Sequence, residues 1–200
     1  MVAKVTDAER VVGIDRSEPF LRTARAAGAA VVCADVTAPL PTAAPDLIYA
    51  RLVLAHLPDP ERVIAAWTEQ LQPHGVLLLD EVDWIRTENP VLDHYEQIVT
   101  AMVASRGAQI SVGPRICDLS GDRWRQRSNS LRAYPVATAD AARMYAMNLA
   151  TWRHDPFVVA TYDAASIDEL AAGLTELTTS AATGEIEWGL RQVVYERTAP

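Results

Sequence analysis

The chain has 200 residues, of which 50% are hydrophobic and 22% are charged, and it carries a formal net charge of -8. This length predicts a single domain, over residues 1–200, with a core that needs neither disulfides nor a metal. The acidic balance excludes nucleic acid as the default partner, because phosphate binding requires a basic face, and it favours a small-molecule substrate.

The cysteines and the distribution of apolar residues indicate the cellular setting. Cys33 and Cys117 form no C-x-x-C pair and no cluster with histidine, which is typical of a reducing compartment and gives no metal site. No apolar run reaches the ~18 residues of a membrane span, and the first residues do not have the layout of a signal peptide. We therefore expect a cytoplasmic protein without a membrane partner.

The first half of the chain alternates short apolar strands with amphipathic helices. Strands are predicted over Val11–Asp15, Ala30–Asp35, Pro45–Ala50 and Gly75–Asp80. Ser17 is expected to cap a helix that runs to about Ala27, with Phe20, Leu21 and Ala24 on its inner face. Asp59 is expected to cap the next helix, which has Val63, Ile64, Trp67 and Leu71 at helical spacing. This rhythm predicts a parallel sheet with right-handed crossovers.

The second half of the chain has a looser pattern. Helices are predicted over Leu92–Ser105, from a Thr138 cap to about Thr151, and over Ser166–Leu177. A short strand is predicted over Leu131–Val136, after a polar loop over Gly121–Ser130. Glu185–Arg197 alternates apolar and polar residues, which predicts a half-buried antiparallel strand.

An acidic residue ends the first predicted strand, where it is placed to hold a ribose. In nucleotide-binding doubly wound folds, that carboxylate works with a glycine-rich turn one strand earlier. Here only ten residues precede Val11, and none of the nine glycines forms a Gly-x-Gly. The pattern is that of a nucleoside-cofactor enzyme that begins one strand late.

Four segments carry a family resemblance, in the family's order and at its spacing. They are Val11–Ser17, Val32–Val36 followed by Leu40-Pro41, Pro45–Pro58, and Leu71–Glu81. With them the chain resembles the class I S-adenosylmethionine-dependent methyltransferases of the small-molecule type. The resemblance implies a Rossmann-like, doubly wound, three-layer α/β/α fold whose mostly parallel sheet has an antiparallel C-terminal strand. Residues 11–85 would form the cofactor-binding half, and residues 86–200 the substrate cover and C-terminal strands.

The chain departs from the family pattern in two places. The first strand and its glycine-rich loop are missing, which indicates either a start codon placed late or the loss of the family's mode of cofactor binding. In the family the absent strand lies between Val11–Asp15 and Leu47–Ala50. We expect these two strands to pair directly or to take up a strand from another chain, with residues 1–10 covering part of the gap. In the second departure, His74 replaces the first glycine of the usual Pro-Gly-Gly turn, at little cost if its φ is negative.

The resemblance implies S-adenosyl-L-methionine as the cofactor. Asp15, followed by Arg16, would accept hydrogen bonds from the ribose hydroxyls; Asp35, preceded by Ala34, would accept from the adenine amine, and the N–H of Val36 would meet a ring nitrogen. Ala50 and Arg51 would border the methionine part. The competing interpretations are a helix-capping carboxylate for Asp15, a turn residue for Asp35 and a surface cation for Arg51.

Methyl transfer requires mainly that the nucleophile and the methyl carbon be brought together, and a general base is sometimes added. His56 is the candidate base, because it lies just past a strand end and its usual pKa suits proton removal near neutrality. Glu81, Asp83 and Trp84, expected just after the strongest strand, would line the acceptor pocket, with Tyr95 on the following helix. A packed histidine, a solvated acidic turn and a helix-surface tyrosine are the alternatives.

Three functions therefore remain open. Methyl transfer to a small-molecule acceptor is favoured. A degenerate methyltransferase-like protein, with a binding or cyclase-like auxiliary role, is the alternative that the missing glycine loop supports. A nicotinamide-dependent oxidoreductase is the third, and the absence of a G-x-G-x-x-G motif argues against it. Self-association as a homodimer is left open.

Overall fold

The computed structural model describes residues 10–179 and 184–199. The strands in these residues are β1 Gly13–Asp15, β2 Val31–Cys33, β3 Leu47–Arg51, β4 Val76–Arg86, β5 Trp124–Ala137 and β6 Glu185–Arg197. The α-helices are α1 Glu18–Ala26, α2 Pro60–Gln70, α3 Pro90–Ala104, α4 Gly113–Ile116, α5 Thr138–Trp152, α6 Pro156–Thr161 and α7 Ala164–Thr179. A 3-10 turn over Leu54–His56 follows β3.

The strands form two separate sheets. β1 and β2 make a two-stranded parallel sheet, and the other strands form a four-stranded sheet in the order β3-β4-β6-β5. In the larger sheet β3 runs parallel to β4, whereas β6 runs antiparallel to both of its neighbours. The predicted mixed sheet, with β6 as its one reversed strand, is therefore confirmed for the described residues.

Two hydrophobic cores cover the larger sheet. The first packs α2 and the 3-10 turn against Leu77, Leu79, Val193 and Tyr195. The second packs α3, α5, α6 and α7 against Ile186, with Trp188 beside it. Because residues 186 and 188 have the opposite strand parity to residues 193 and 195, the two cores lie on opposite faces of β6. This arrangement is the predicted α/β/α layering.

β1 and β3 do not pair with each other, so the prediction of direct pairing is wrong. Among the described residues, β1 has only β2 as a ladder partner and β3 has only β4. The small sheet is tied to the large one by side chains instead. The Trp67 indole N–H donates to the Val36 carbonyl over 2.9 Å, and the Leu40 N–H donates to Gln70 Oε1 over 2.7 Å. Residues 1–9, which were expected to cover part of the gap, lie outside the described residues.

The helices of the first half begin and end close to their predicted positions. Ser17 is the N-cap of α1, but its side chain makes no capping hydrogen bond, and Gly28, at φ 84°, follows the helix end. Leu21 is 2% exposed, whereas Phe20 is 68% exposed. The predicted inward orientation of Phe20 is therefore wrong, because no described element packs over that side of α1. Asp59 caps α2 as predicted, accepting from the Arg62 N–H.

The second half differs more from its predicted pattern. β5 spans fourteen residues, so the stretch predicted as a loop over 121–130 is mostly strand. Its side chains are largely exposed along its length, so burial imposes no apolar alternation there. Thr138 is the first residue of α5 rather than its cap, and its side chain is buried without a capping bond. The short helices α4 and α6 were not predicted.

His74 has a φ of 65°, so the condition for a low-cost replacement of glycine, a negative φ, is not met. The turn between α2 and β4 reverses the chain within a few residues, and its backbone requires the left-handed region that glycine normally occupies. The His74 N–H donates to the carbonyl of Arg197, which holds this conformation in place. The substitution of the usual glycine therefore carries backbone strain.

Candidate functional site

Two aspartates lie side by side where β1 and β2 end. Asp15 is paired in register with Cys33, and its carbonyl accepts from the Ala34 N–H over 3.1 Å, which brings Asp35 next to the end of β1. Asp15 Oδ1 accepts from the Ser17 N–H over 2.7 Å. Asp35 Oδ1 accepts from both the N–H and the hydroxyl of Thr37, over 2.9 and 2.8 Å. Each carboxylate is thus oriented by the backbone two residues further on.

The Asp35 carboxylate is stabilised in its charged form. Hydrogen bonds from the backbone and hydroxyl of Thr37, and the nearby Arg16 guanidinium, hold its pKa below the usual range. Within the described residues, Oδ2 of Asp15 and Oδ2 of Asp35 accept no protein hydrogen bond. These two exposed oxygens are therefore free to accept from a ligand's hydroxyl or amine groups.

Thr37 is a functional residue that the sequence reasoning missed. Its N–H and hydroxyl fix the rotation of the Asp35 carboxylate. An aspartate followed two residues later by threonine is a known turn pattern, so the Asp-x-Thr spacing could have indicated this role. Ala34 and Val36, on either side of Asp35, are half-buried, and Val36 packs against the first core.

The end of β3 forms a second part of the site. Ala50 is buried, while the Arg51 side chain is mostly exposed and lies 3.6 Å from Asp80 Oδ2 on β4. Leu52, directly after the strand, has a φ of 55°, and its N–H donates to the Asp80 carbonyl over 3.0 Å. This left-handed residue turns the chain sharply away from the sheet and into the 3-10 turn.

His56 ends that 3-10 turn and is largely exposed. Partial desolvation of the imidazole, with a smaller contribution from the Arg106 charge, lowers its pKa. Arg106 itself forms an ion pair with Asp155. A lowered pKa leaves the imidazole neutral near pH 7, which is the form that can accept a proton.

Glu81, Asp83 and Trp84 lie within β4 rather than after it, so their predicted position past the end of the strand is wrong. β4 continues because β6 pairs with it as far as Arg86. Glu81 is fully buried, and its Oε1 accepts from the N–H groups of Val53 and Leu54 over 2.8 and 2.9 Å. It is therefore not exposed at the strand ends as expected.

The other predicted pocket residues are engaged in packing. Asp83 forms a largely buried ion pair with Arg191, at 2.5 Å. The Trp84 ring fills the space above Gly189, and the Arg86 guanidinium lies 4.2 Å from its centroid.

Tyr95 lies in the second core and is 4% exposed. Its ring stacks on Tyr145 with centroids 3.9 Å apart. The structure brings none of the side chains of Asp83, Trp84 and Tyr95 to the aspartates of β1 and β2.

Two shallow clefts lie on the helical side of the molecule. One is lined by α3 and α7, including His94 and Glu169, and the other by residues between Arg153 and Ile167. Neither contains a predicted cofactor or substrate residue. Within residues 10–179 and 184–199, no group of three histidine, cysteine or acidic side chains could hold a metal ion.

Known proteins match this chain in sequence over its first part and in fold over nearly all of it. Residues 1–79 match the methyltransferase domain family. A candidate methyltransferase from Bacillus halodurans C-125, 14% identical, superimposes with a TM-score of 0.59, covering 94% of this chain and 83% of that one. The chain has a methyltransferase fold. A candidate type II methyltransferase from Anaeromyxobacter dehalogenans, 18% identical, matches with a TM-score of 0.54, covering 96% of this chain and 82% of that one.

Curated relatives match a shorter part of this methyltransferase-fold chain. The trans-aconitate 2-methyltransferase of Methylobacterium radiotolerans is 40% identical over 85 residues, which are 42% of this chain and 32% of the relative. That of Azoarcus sp. strain BH72 is 42% identical over 72 residues, 35% of this chain and 28% of the relative. The matches thus span about a third of those relatives' length. The resemblance to small-molecule class I methyltransferases is confirmed.

The described residues of this methyltransferase fold suit the nucleoside part of S-adenosylmethionine better than its methionine part. The free carboxylate oxygens of Asp15 and Asp35, at the carboxyl ends of adjacent parallel strands, match the hydrogen-bond donors of a nucleoside. Arg51 and the turn after β3 could border the methionine part. No described residue supplies a glycine-rich loop, and within the described ranges no strand joins the larger sheet to the smaller one. No described helix is long and apolar enough to cross a membrane.

Proposed function

We propose that this chain binds S-adenosyl-L-methionine at the carboxyl ends of β1 and β2 and takes part in methyl transfer to a small-molecule acceptor. The observation that carries the proposal is the pair of exposed carboxylates, Asp15 and Asp35. Each has one oxygen fixed by a backbone N–H and the other oxygen free. Two oriented anions at neighbouring strand ends suit the vicinal hydroxyls and the exocyclic amine of adenosine.

The roles of the chain's own residues follow from this arrangement. Asp15 would orient the ribose and Asp35 the adenine, while the half-buried Val36 contributes an apolar surface beside the base. The bound cofactor would supply a methyl group on a sulfonium. The acceptor would attack the methyl carbon in line, and the neutral thioether would leave. His56, with its lowered pKa, would take the proton released by a hydroxyl or amine acceptor, whereas an ionised carboxylate acceptor would need no base. The turn that carries His56 would also exclude water from the end of β3.

A small carboxylate is the acceptor class to test first, because two of the relatives are trans-aconitate 2-methyltransferases. The net charge of -8 gives no support for a nucleic-acid substrate. We keep a small-molecule acceptor, a cytoplasmic setting and the absence of nucleic-acid and membrane partners as parts of the proposal. Self-association as a homodimer remains an open part of it.

Titration calorimetry with S-adenosylhomocysteine tests the binding step. Asp15→Ala should raise the Kd roughly 30- to 140-fold, the equivalent of about 2–3 kcal/mol for charge-assisted hydrogen bonds. Asp46→Ala is the matched control, because Asp46 is an exposed carboxylate at the opposite, amino end of β3, where it pairs with Arg10. An equal loss of affinity in both variants, or none in Asp15→Ala, contradicts the assignment.

A second candidate function is a methyltransferase-like protein that does not transfer a methyl group. The observation that favours it is the separation of the two sheets among the described residues. Incubation with methyl-labelled cofactor and trans-aconitate, alongside the calorimetry, separates the candidates. Binding without label transfer to any acceptor supports the second function, and transfer excludes it. A chain that does not bind S-adenosylhomocysteine at all contradicts the first.

A further inference from the structure

Glu81 is the one described acidic residue that is completely buried. It lies on the face of β4 that also carries Leu77 and Leu79, which belong to the first core. Its Oε2 atom is buried and has no hydrogen-bond partner among the described residues. A buried carboxylate in an apolar core is costly, so its presence requires a role that an apolar side chain could not fill.

The carboxylate of Glu81 closes the start of the 3-10 turn from across the sheet. Val53 occupies the capping position of that turn but its side chain makes no capping hydrogen bond. Glu81 Oε1 accepts from the Val53 and Leu54 N–H groups instead. The preceding residue of β4 acts on the same turn, since the Asp80 carbonyl accepts from the Leu52 N–H. Two consecutive residues of β4 therefore fix three consecutive N–H groups.

The segment held in this way connects two parts of the proposed site. It begins at Arg51, which ends β3, passes through Leu52 with its φ of 55°, and ends at His56. A left-handed non-glycine residue is unfavourable by itself and persists only where the surroundings hold it. The hydrogen bonds to Asp80 and Glu81 are the described contacts that do so.

We propose that Glu81 is a positioning residue of the cofactor site, which fixes the backbone of Leu52–Leu54 and thereby the end of β3 and His56. The inference rests on the proposed function for what is positioned, but not for the clamp itself. Glu81 acts through the turn and does not contact a ligand, because its side chain is fully buried. A neutral amide at this position could still accept from the two N–H groups, whereas an apolar side chain could not.

The charge state of Glu81 adds support to this role. Burial raises the pKa of its carboxyl to about 7, although the N–H groups of Leu54 and Val53 oppose that shift. The charged and titratable groups on the elements around it include Tyr49 and Arg51 on β3, His56 on the turn, Asp80 and Asp83 on β4, Arg115 on α4, and Arg191 and Tyr195 on β6. Of these, Asp80 adds to the rise by like-charge repulsion.

The test compares wild type with Glu81→Met, which keeps the side-chain length but removes the acceptor, and Glu81→Gln, which keeps an acceptor. Leu78→Val is the control, because Leu78 is half-buried on the opposite face of β4 from Glu81, and this small truncation costs little stability. Amide hydrogen exchange of Val53 and Leu54, followed by NMR, reports on the clamp. Calorimetry with S-adenosylhomocysteine reports on the site.

Both amides should exchange at least about tenfold faster in Glu81→Met than in Leu78→Val, and Glu81→Met should raise the Kd about tenfold, the equivalent of one lost hydrogen bond to a charged group. Glu81→Gln should restore both properties. Amides that stay protected in Glu81→Met, or a Gln variant as impaired as Met, overturn the proposal. If Glu81→Met does not fold, loss of protection or affinity in Glu81→Gln overturns it. A wild type that does not bind contradicts the proposed function, while the exchange data still decide on the clamp.

Discussion

The small sheet and the large sheet of this molecule differ sharply in how they are supported. β1 and β2 have three residues each, and the deeply buried apolar residues between 10 and 46 are Leu21 and Leu40. β4 and β6, with 11 and 13 residues, pair along most of their length and contribute to both cores. The carboxylates proposed to hold the nucleoside thus stand on the thinly packed part, whereas Glu81 and the turn with His56 belong to the thickly packed part.

This difference implies that stability and ligand binding reside in separate parts of the chain. Regions with few buried contacts open at lower free energy than the core around them. A ligand that bridges Asp15 and Asp35 would add contacts where the fold has fewest. Substitutions in the large sheet should therefore change the free energy of unfolding most, and those in the small sheet should mainly change binding.

The largest effect is expected from truncating the core of the large sheet. Leu79→Ala should lower the free energy of unfolding by about 4–5 kcal/mol, because Leu79 is fully enclosed. Leu21→Ala is the matched change in α1, beside the small sheet. It should lower the free energy of unfolding by only about 2–3 kcal/mol, since the half-exposed surroundings of Leu21 can relax into the space. Urea unfolding measures both. Equal costs for the two variants would contradict the contrast between the regions.

The next effect concerns the pH dependence of stability, which has opposite signs for Glu81 in the large sheet and for Asp35 beside the small sheet. The pKa of Glu81 is raised from 4.5 to about 7 in the folded chain, so the folded state binds the proton more tightly than the unfolded state. Stability from this group is present below pH 4.5 and falls by roughly 3 kcal/mol as pH rises to about 7. Glu81→Gln should remove this slope in urea titrations between pH 4.5 and 7. A slope unchanged in the variant would refute the assignment.

Asp35 supplies the comparison for that pH series. Its pKa is lowered, so its contribution is present above the usual aspartate range and is lost as pH falls. Asp35→Asn should therefore leave the slope of stability between pH 5 and 7 unchanged and remove only the fall in stability that this group causes at lower pH. Because Asp35 is fully exposed, we expect its effect to be much smaller than that of Glu81.

A smaller effect is expected at the link between the two regions. Trp67→Phe keeps an aromatic ring in the first core but removes the indole N–H that donates to the Val36 carbonyl. The expected cost is about 1–2 kcal/mol, from one lost hydrogen bond and a small void. Hydrogen exchange should increase mainly in residues 31–37. A rise of similar size in β4 would show that the regions are coupled more tightly than their contacts indicate.

The smallest effect is expected for Phe20, on the exposed side of α1. Phe20→Ser should change the free energy of unfolding by less than about 0.5 kcal/mol, because the side chain is 68% exposed. Thermal unfolding at matched concentration measures it. A loss above about 1 kcal/mol would mean that another element or a second copy covers this side of α1.

The sequence predicted well the elements whose burial imposes a period. Trp67 and its helical neighbours gave α2 and its Asp59 cap, and the alternation in Glu185–Arg197 gave β6 with its observed bounds. It predicted only the second half of β5, as the strand over Leu131–Val136, because Arg125 to Ser130 are polar on a largely exposed edge strand held by pairing to β6. The sequence also could not predict the left-handed backbone of His74, because a position with positive φ normally selects glycine.

The site was predicted in part, for a related reason. Asp15 and Asp35 were found because strand ends are marked by a change from apolar to acidic residues. Glu81 was expected just past the strand end, because β4 was expected to end at Asp80. The continuation of β4 depends on its pairing with residues 187–191 of β6. These residues lie more than 100 positions later in the chain, so local patterns do not reveal the pairing.

The most direct test of the account is hydrogen exchange with mass spectrometry, with and without saturating S-adenosylhomocysteine. Without ligand, peptides from residues 10–37 should exchange faster than those of β4 and β6. With ligand, exchange in residues 10–37 should slow at least about tenfold, while β4 and β6 change little. Binding that protects other segments, or a small sheet already as protected as β4 without ligand, would contradict the claim that the nucleoside site stands on the thinly packed part.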